Sequence, residues 1–175
     1  MRARYVVDTN VLIAASAADP VNPKDIDATP PDPELRLQVW EWLETFRASR
    51  SNMVLDTENK IYEEYNNKLG FNDFGIQVVM HKWSTAAVDS VNVEYDSEDN
   101  GVLPISLARV VHDLADRKMV AAALEAKRLH GEAPVAFAGD TDWHQWESAL
   151  NKHGVELKPI IEAWSRAKFK AKKLR

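Results

Sequence analysis

Short apolar runs alternate along the chain with longer segments in which apolar residues recur at helical spacing. Residues 5–7, 53–55 and 134–138 are apolar runs typical of strands buried in a parallel sheet, and weaker runs at 91–95 and 155–157 predict two more strands. This alternation predicts an α/β fold, a three-layer α/β/α sandwich around a mainly parallel central sheet. The first predicted helix begins at Val11. The others cover residues 35–46, 57–69, 72–88, 106–130, 142–153 and 159 onward.

The chain is expected to form one domain that ends in a basic helix. Its 175 residues and 45% apolar content are sufficient for one buried core. We assign residues 1–158 to this domain and residues 159–175 to a C-terminal helix with a basic tail. Two less regular stretches, residues 19–33 and 89–104, interrupt the pattern as long loops.

The distribution of charge sets the terminal segment apart. A net charge of −5 alone would disfavour nucleic acid as a partner, because phosphates select basic surfaces. After Glu162, however, six basic residues follow with no acid among them. We expect residues 166–175 to form a mobile or helical arm that takes no part in the core and contacts nucleic-acid phosphates or an acidic partner. The predicted nucleic-acid-binding residues are Lys168, Lys170, Lys172, Lys173 and Arg175.

Composition also limits the metal and membrane chemistry. The chain has no cysteine, so a metal would need oxygen or imidazole ligands. The N-terminal apolar run resembles a secretory signal, but Asp8 and Asn10 interrupt it. No stretch reaches the length of a membrane span. We therefore expect a cytoplasmic protein with no membrane partner.

The most informative segment runs from residue 4 to residue 13, where an aspartate ends an apolar run and a helical segment follows at once. Asp8 is thereby placed at the carboxyl end of a strand, the edge at which open α/β sheets bind ligands. Thr9 or Asn10 can cap the helix that follows. Taken alone, Asp8 could equally be a helix cap, so the other acidic sites decide its interpretation.

A second acid comes from the helix predicted at residues 57–69. Ile61 and Tyr65 lie on one helical stripe, and Glu64 borders that buried face. Glu63 is turned away from it. An acid at the edge of a core stripe is more often a paired surface residue than a functional one.

The remaining acids occur at two later positions. Asp116 stands one turn before the core residues that begin at Met119, and Asp113 stands one turn earlier. Both could instead complement the helix dipole. Residues 135–143 then repeat the design of the first site, because an apolar strand and a glycine precede Asp140 and Asp142. Asp142 could also cap the helix that follows.

Together these acids predict a metal site. Carboxylates packed closely repel one another, and some would take up protons unless a cation compensated them. Oxygen ligands favour Mg²⁺ or Mn²⁺, and acid clusters that hold such ions serve phosphoryl chemistry. Hydrolysis of a phosphodiester is the natural reaction.

The ordered set of motifs resembles the PIN-domain nucleases over residues 4 to about 158. The resemblance implies a metal-dependent endoribonuclease, as in the toxin halves of bacterial toxin-antitoxin pairs, with Mg²⁺ or Mn²⁺ as the cofactor. By the family's pattern the catalytic, metal-binding acids are Asp8, Glu64, Asp116 and Asp140, with Asp142 as an accessory ligand. We assign supporting roles to Thr9, Asn10, Asp113 and Thr141.

Two departures and several alternatives accompany this hypothesis. Ala138 stands where the family often has Thr or Ser, and both long loops exceed those of compact toxins. A haloacid-dehalogenase-type phosphatase needs a second acid at the position of Asn10. The alternatives that stay open are a non-catalytic RNA- or protein-binding module and a structure-specific DNA nuclease. The expected partners are an RNA substrate, an antitoxin or other regulatory protein, and a second copy of the chain in a homodimer.

Overall fold

The central sheet has five strands, all parallel, in the order β3-β2-β1-β4-β5. The computed structural model of the chain describes all residues from 1 to 175. The order places β1 in the middle of the sheet, where its residues from Tyr5 to Val7 are buried. The strands are β1 (Arg4–Val7), β2 (Asn52–Asp56), β3 (Val88–Val91), β4 (Val135–Phe137) and β5 (Leu157–Pro159).

Eight helices flank this sheet and complete the α/β/α sandwich that the sequence predicts. They are α1 (Thr9–Ala17), α2 (Pro33–Ala48), α3 (Lys60–Lys68), α4 (Phe74–Ser84), α5 (Ile105–Ala108), α6 (Arg117–His130), α7 (Asp142–Lys152) and α8 (Glu162–Lys173). Helix α6 packs across β1 to β4, while α1, α2 and α4 pack against one another. Buried alanines, among them Ala122 and Ala123, let α6 lie close to the sheet. None of the helices is both long and apolar enough to cross a bilayer.

One predicted helix is wrong in its extent. The segment at residues 106–130 is not continuous, because α5 ends at Ala108 and α6 begins at Arg117. The Arg117 guanidinium donates to the carbonyl oxygens of Val111 (3.0 Å) and Ala108 (2.8 Å) and so holds the irregular connection. Leu107 and Val111 are both buried. Their spacing of four residues, which favours a helix, therefore reflects core packing on either side of a break.

Two strand boundaries also differ from the sequence-based prediction. The helix expected to reach residue 88 ends at Ser84, because the chain turns at Ala86, whose φ of 56° is left-handed. The following strand is therefore β3 at Val88–Val91 rather than residues 91–95. The last strand is β5 at Leu157–Pro159 rather than residues 155–157, since the Val155 amide donates to the Leu150 carbonyl and closes the turn after α7.

The basic terminal segment belongs to helix α8, which is docked on α7 through its first turns. Ser165 is fully buried, and its hydroxyl lies 2.8 Å from His144 Nε2 on α7. Arg166 forms an ion pair with Glu147 at 3.0 Å. The inner face of α8 is thus docked on α7, which fixes where the lysines of α8 lie. None of residues 166–175 belongs to the buried core, as expected, but Arg166 holds the start of this segment against α7.

Candidate active site

Asp8 lies at the carboxyl end of the central strand β1. Its backbone amide donates to the Ala136 carbonyl of β4 at 2.9 Å, so its position is set by the sheet. The residue is only 1% exposed. It precedes α1, yet its side chain makes no capping hydrogen bond, and its Oδ2 has no hydrogen-bond partner. Helix capping therefore does not account for this carboxylate.

The electrostatics show that the four main acids lie close enough to act on one another. Burial raises the pKa of Asp8 well above its usual value, and the charges of Asp116, Asp140 and Glu64 raise it further. Burial raises the pKa of Asp116 to about 8, with further contributions from Asp140 and Asp113. The pKa of Asp140 is also raised by burial. The fold thus concentrates negative charge where a cation would relieve it.

Helix α3 carries Glu64 towards this cluster. Asp56, the last residue of β2, starts the helix by accepting from the amides of Lys60 (3.0 Å) and Ile61 (2.9 Å). The Thr9 hydroxyl donates to one oxygen of Glu64. The Glu63 side chain is 61% exposed and lies on the surface. The structure thus confirms the predicted helical phase, in which Glu64 borders the buried face and Glu63 is turned away from it.

Asp116 occupies the N-cap position of α6 rather than the interior of a helix. It is 7% exposed, and its side chain makes no capping bond. Its carbonyl accepts from the amides of Met119 and Val120, so it remains one turn before the core residues. Asp113 is exposed, and its carboxylate accepts from the Ala115 amide at 2.9 Å, which makes it a turn residue that adds charge to the site.

Asp140 and Asp142 follow β4 but face different partners. Asp140 Oδ1 accepts from the Asp142 amide at 2.9 Å and shapes the turn into α7, where the buried Thr141 takes the N-cap position. Gly139 is needed because a Cβ there would overlap the backbone of Thr29. Asp142 forms an ion pair with Lys172 at 2.7 Å, so it lies towards α8 at the edge of the cluster.

Several residues of the site were not found by sequence reasoning. Tyr65 donates its hydroxyl to the Val7 carbonyl at 2.5 Å, directly before Asp8. Tyr95 donates to Asp56 Oδ2 at 2.9 Å. Asp56 could have been found from the sequence, because it ends the apolar strand β2 just as Asp8 follows the apolar strand β1. Lys118, whose ammonium contacts Glu64, could not have been found in this way, because a lysine in the first turn of a helix usually marks a solvated face.

An open polar cavity of about 290 Å³ adjoins the acids on the side of α8. Two lysines of α8, Lys168 and Lys172, lie in its wall. No apolar residue contributes to it. The residues lining it are Asn10, Thr29, Gly139, Asp140, Thr141, Lys168 and Lys172.

The acids do not form a preassembled metal site, because no group of three or more His, Asp and Glu side chains is arranged to hold an ion. Glu64 and Asp142 are instead engaged by lysines. The donor set nevertheless fits a divalent cation. Its atoms are oxygens, as Mg²⁺ and Mn²⁺ prefer, and the buried Oδ2 of Asp8 lacks the partner that such an atom normally has.

Comparison of the chain with protein-family models, with curated proteins and with solved structures finds no match.

Proposed function

We propose that the chain is a divalent-metal-dependent endoribonuclease of the PIN-domain type. One observation carries the proposal. Asp8 is a buried carboxylate with an unpartnered oxygen, at the ligand-binding edge of a parallel sheet, surrounded by the charges of three further acids. Unpaired buried charges are costly, and they concentrate at functional sites. The choice of RNA as the substrate comes from the resemblance of the ordered motifs.

The residues divide into two roles under this proposal. Asp8, Asp116, Asp140 and Glu64 would hold the ion, with Asp142 at the edge. A bound Mg²⁺ or Mn²⁺ supplies Lewis-acid chemistry: it activates water and offsets the charge that develops on phosphoryl oxygens. The buried setting of Asp8 and Asp116 keeps bulk water away from their carboxylates and strengthens the electrostatic interactions there.

The polar cavity supports a nucleic-acid substrate. Lys168 and Lys172 line the cavity together with Asp140. Phosphate contacts from such lysines would fix the position of a strand without reading its bases. The Lys172 side chain is 61% exposed. Its ammonium can therefore leave Asp142 and pair with a phosphate at a small cost in free energy. A strand bound through this cavity would pass next to the acids.

A non-catalytic binding module is the competing candidate, and one observation favours it. The ion pairs of Glu64 with Lys118 and of Asp142 with Lys172 compensate part of the negative charge without any metal. A protein that uses these lysines only as structural counter-ions would retain the fold and bind RNA without cleaving it. Cleavage assays separate the two candidates.

The test uses two neighbouring glutamates as a matched pair. End-labelled single-stranded RNA, with DNA of the same sequence in parallel, is incubated with the wild-type chain, Glu64→Gln and Glu63→Gln in Mg²⁺, Mn²⁺ or chelator. We expect metal-dependent RNA cleavage by the wild type and by Glu63→Gln, and a loss of about 100-fold or more in Glu64→Gln.

Circular dichroism establishes that both variants are folded. Cleavage that persists in chelator, or no cleavage by the wild type in either metal, would contradict the proposal. Faster cleavage of DNA than of RNA would retain the metal chemistry and replace the substrate class by that of a DNA nuclease.

A further inference from the structure

Lys118 places a positive charge inside the acid cluster. It lies on α6, two residues after Asp116, and its side chain is only 12% exposed. Its Nζ lies 2.5 Å from Glu64 Oε2 and donates to the Ala115 carbonyl at 2.8 Å. The backbone of Lys118 is also held closely, because a Cβ on Gly101 would stand 2.7 Å from its amide nitrogen and its Cα.

Other lysines near the site do not have this position. Lys172 forms its ion pair with Asp142, at the edge of the cluster, and its side chain is 61% exposed. Lys60 contacts Glu63 at 3.9 Å and Asp99 at 3.4 Å, both of them exposed acids outside the cluster. The Lys118 charge also acts on Asp116, whose pKa it lowers against the larger effect of burial.

Lys118 occupies the position at Glu64 that a second metal ion would need. One oxygen of Glu64 accepts from the Thr9 hydroxyl, and the other is paired with the Lys118 ammonium. Each carboxylate oxygen keeps a second lone pair, so Glu64 can still contribute to one ion. The two ions of a two-metal site lie about 3.5–4 Å apart, so a second ion at the paired oxygen would stand against a positive charge. Asp8 Oδ2 is the fully buried oxygen of the cluster that has no hydrogen-bond partner.

We propose that the Lys118 ammonium takes the place of a second metal ion, so that the site binds one divalent cation beside Asp8. This inference rests on the proposed function and deepens it. One divalent ion and Lys118 together supply three positive charges to the four acids Asp8, Glu64, Asp116 and Asp140. Lys118 is a positioning residue in this arrangement, because it fixes Glu64 and supplies charge through it.

Removal of the lysine charge should make room for a second ion. In Lys118→Met the cluster loses one positive charge, and the position beside Glu64 that the ammonium vacates becomes open to a second cation. We expect the wild-type chain to bind one Mn²⁺ and Lys118→Met to bind two. RNA cleavage by Lys118→Met should fall at least about tenfold at low Mn²⁺ and recover as the Mn²⁺ concentration rises.

The experiment counts bound Mn²⁺ by calorimetric titration and by electron paramagnetic resonance of the free ion. Lys60→Met is the matched control, since it removes a lysine whose ammonium contacts only acids outside the cluster, and it should bind one ion. Lys118→Arg keeps the charge and should also bind one. If Lys118→Met does not fold, Lys118→Gln, which keeps a donor to Glu64, gives the same count.

The outcomes separate this inference from the proposed function. Two ions in the wild type, or a single ion in folded Lys118→Met or Lys118→Gln, would overturn the role of Lys118 and leave the metal site standing. A wild-type chain that binds no Mn²⁺ would overturn both. One ion in the wild type and two in Lys118→Met would support the inference.

Discussion

At the scale of single residues, Asp8 shows a conflict that the fold alone does not resolve. A carboxylate with a buried, unpartnered oxygen costs free energy, and a structural role would normally supply a donor for it. The neighbouring acids increase this cost, because they raise the pKa of Asp8 further. The proposed cation at this site would offset that cost.

Asp8→Asn should therefore stabilise the metal-free chain. The amide has nearly the same shape as the carboxylate and carries no charge, so burial and repulsion no longer oppose folding. We expect the melting temperature in chelator to rise by about 3–6 °C. Mn²⁺ should raise the melting temperature of the wild type and leave that of Asp8→Asn unchanged, because ligand binding to the folded state stabilises it.

Asp113→Asn is the control for this measurement, because Asp113 is an exposed turn residue near the same acids. Its melting temperature should change little in chelator, and the shift caused by Mn²⁺ should persist. A destabilised Asp8→Asn that still responds to Mn²⁺ would show that Asp8 is a structural residue.

A second buried charge, on Lys82, lies away from the acids. Its ammonium donates to the carbonyl oxygens of Ser49 (3.0 Å) and Ser51 (2.7 Å), and burial lowers its pKa from 10.5 to about 8. Below pH 8 both the folded and the unfolded chain hold the proton, and the fold bears the cost of burying the charge. Between pH 8 and 10.5 only the folded chain loses the proton, so this cost is relieved as the pH rises.

The wild type should thus gain stability relative to Lys82→Met between pH 7 and pH 10. The expected gain in the difference between their unfolding free energies is on the order of 2 kcal/mol. Urea denaturation at a series of pH values measures it, and taking the difference removes the titration of the other groups. Parallel curves for the two chains would contradict a lowered pKa for Lys82.

At the scale of elements, sequence patterns located the strands and the helical phase better than they located the breaks. Glu64 was placed correctly because α3 has a regular apolar stripe from Ile61 to Tyr65. The break between α5 and α6 was missed, because it depends on the hydrogen bonds of Arg117 to carbonyls six and nine residues away. The spacing of apolar residues along a segment carries no information about such contacts.

The docking of α8 could not be predicted for a similar reason. Its charge run indicated a solvated arm, whereas the packing of α8 depends on single contacts to α7, such as that between Ser165 and His144. As a result only some of its basic residues, Lys168 and Lys172, line the cavity beside Asp140. The structure thus divides the predicted basic tail into two faces.

This division gives a prediction for RNA binding. Measured in chelator, the affinity of Lys168→Gln/Lys172→Gln for single-stranded RNA should fall, and the slope of log affinity against log salt should decrease by about 1.4, because each phosphate contact contributes about 0.7. Lys170→Gln is the matched control, because Lys170 does not line the cavity. A loss for Lys170→Gln of about half that of the double variant would show that α8 binds RNA through its overall charge.

At the scale of the whole molecule, the site exists because β1 and β4 are parallel neighbours. Their carboxyl ends meet at one edge, which brings Asp8 and Asp140 together although 131 positions separate them. Glu64 and Asp116 reach the same edge from α3 and α6. The alternation of elements predicted this sheet, and with it the two strand-end acids. The pairing of acids with Lys118 and Lys172 could not be predicted, because it depends on the tertiary positions of α6 and α8.

The most direct test of the account is to locate a bound ion. Crystals of the chain grown with Mn²⁺ should give an anomalous scattering peak about 2.1 Å from Asp8 Oδ2, within coordination distance of a further carboxylate oxygen from Asp116 or Asp140. Crystals of Asp8→Asn under the same conditions should lack the peak. A wild-type crystal with no peak among these acids, or with Mn²⁺ bound only elsewhere on the surface, would contradict the central claim.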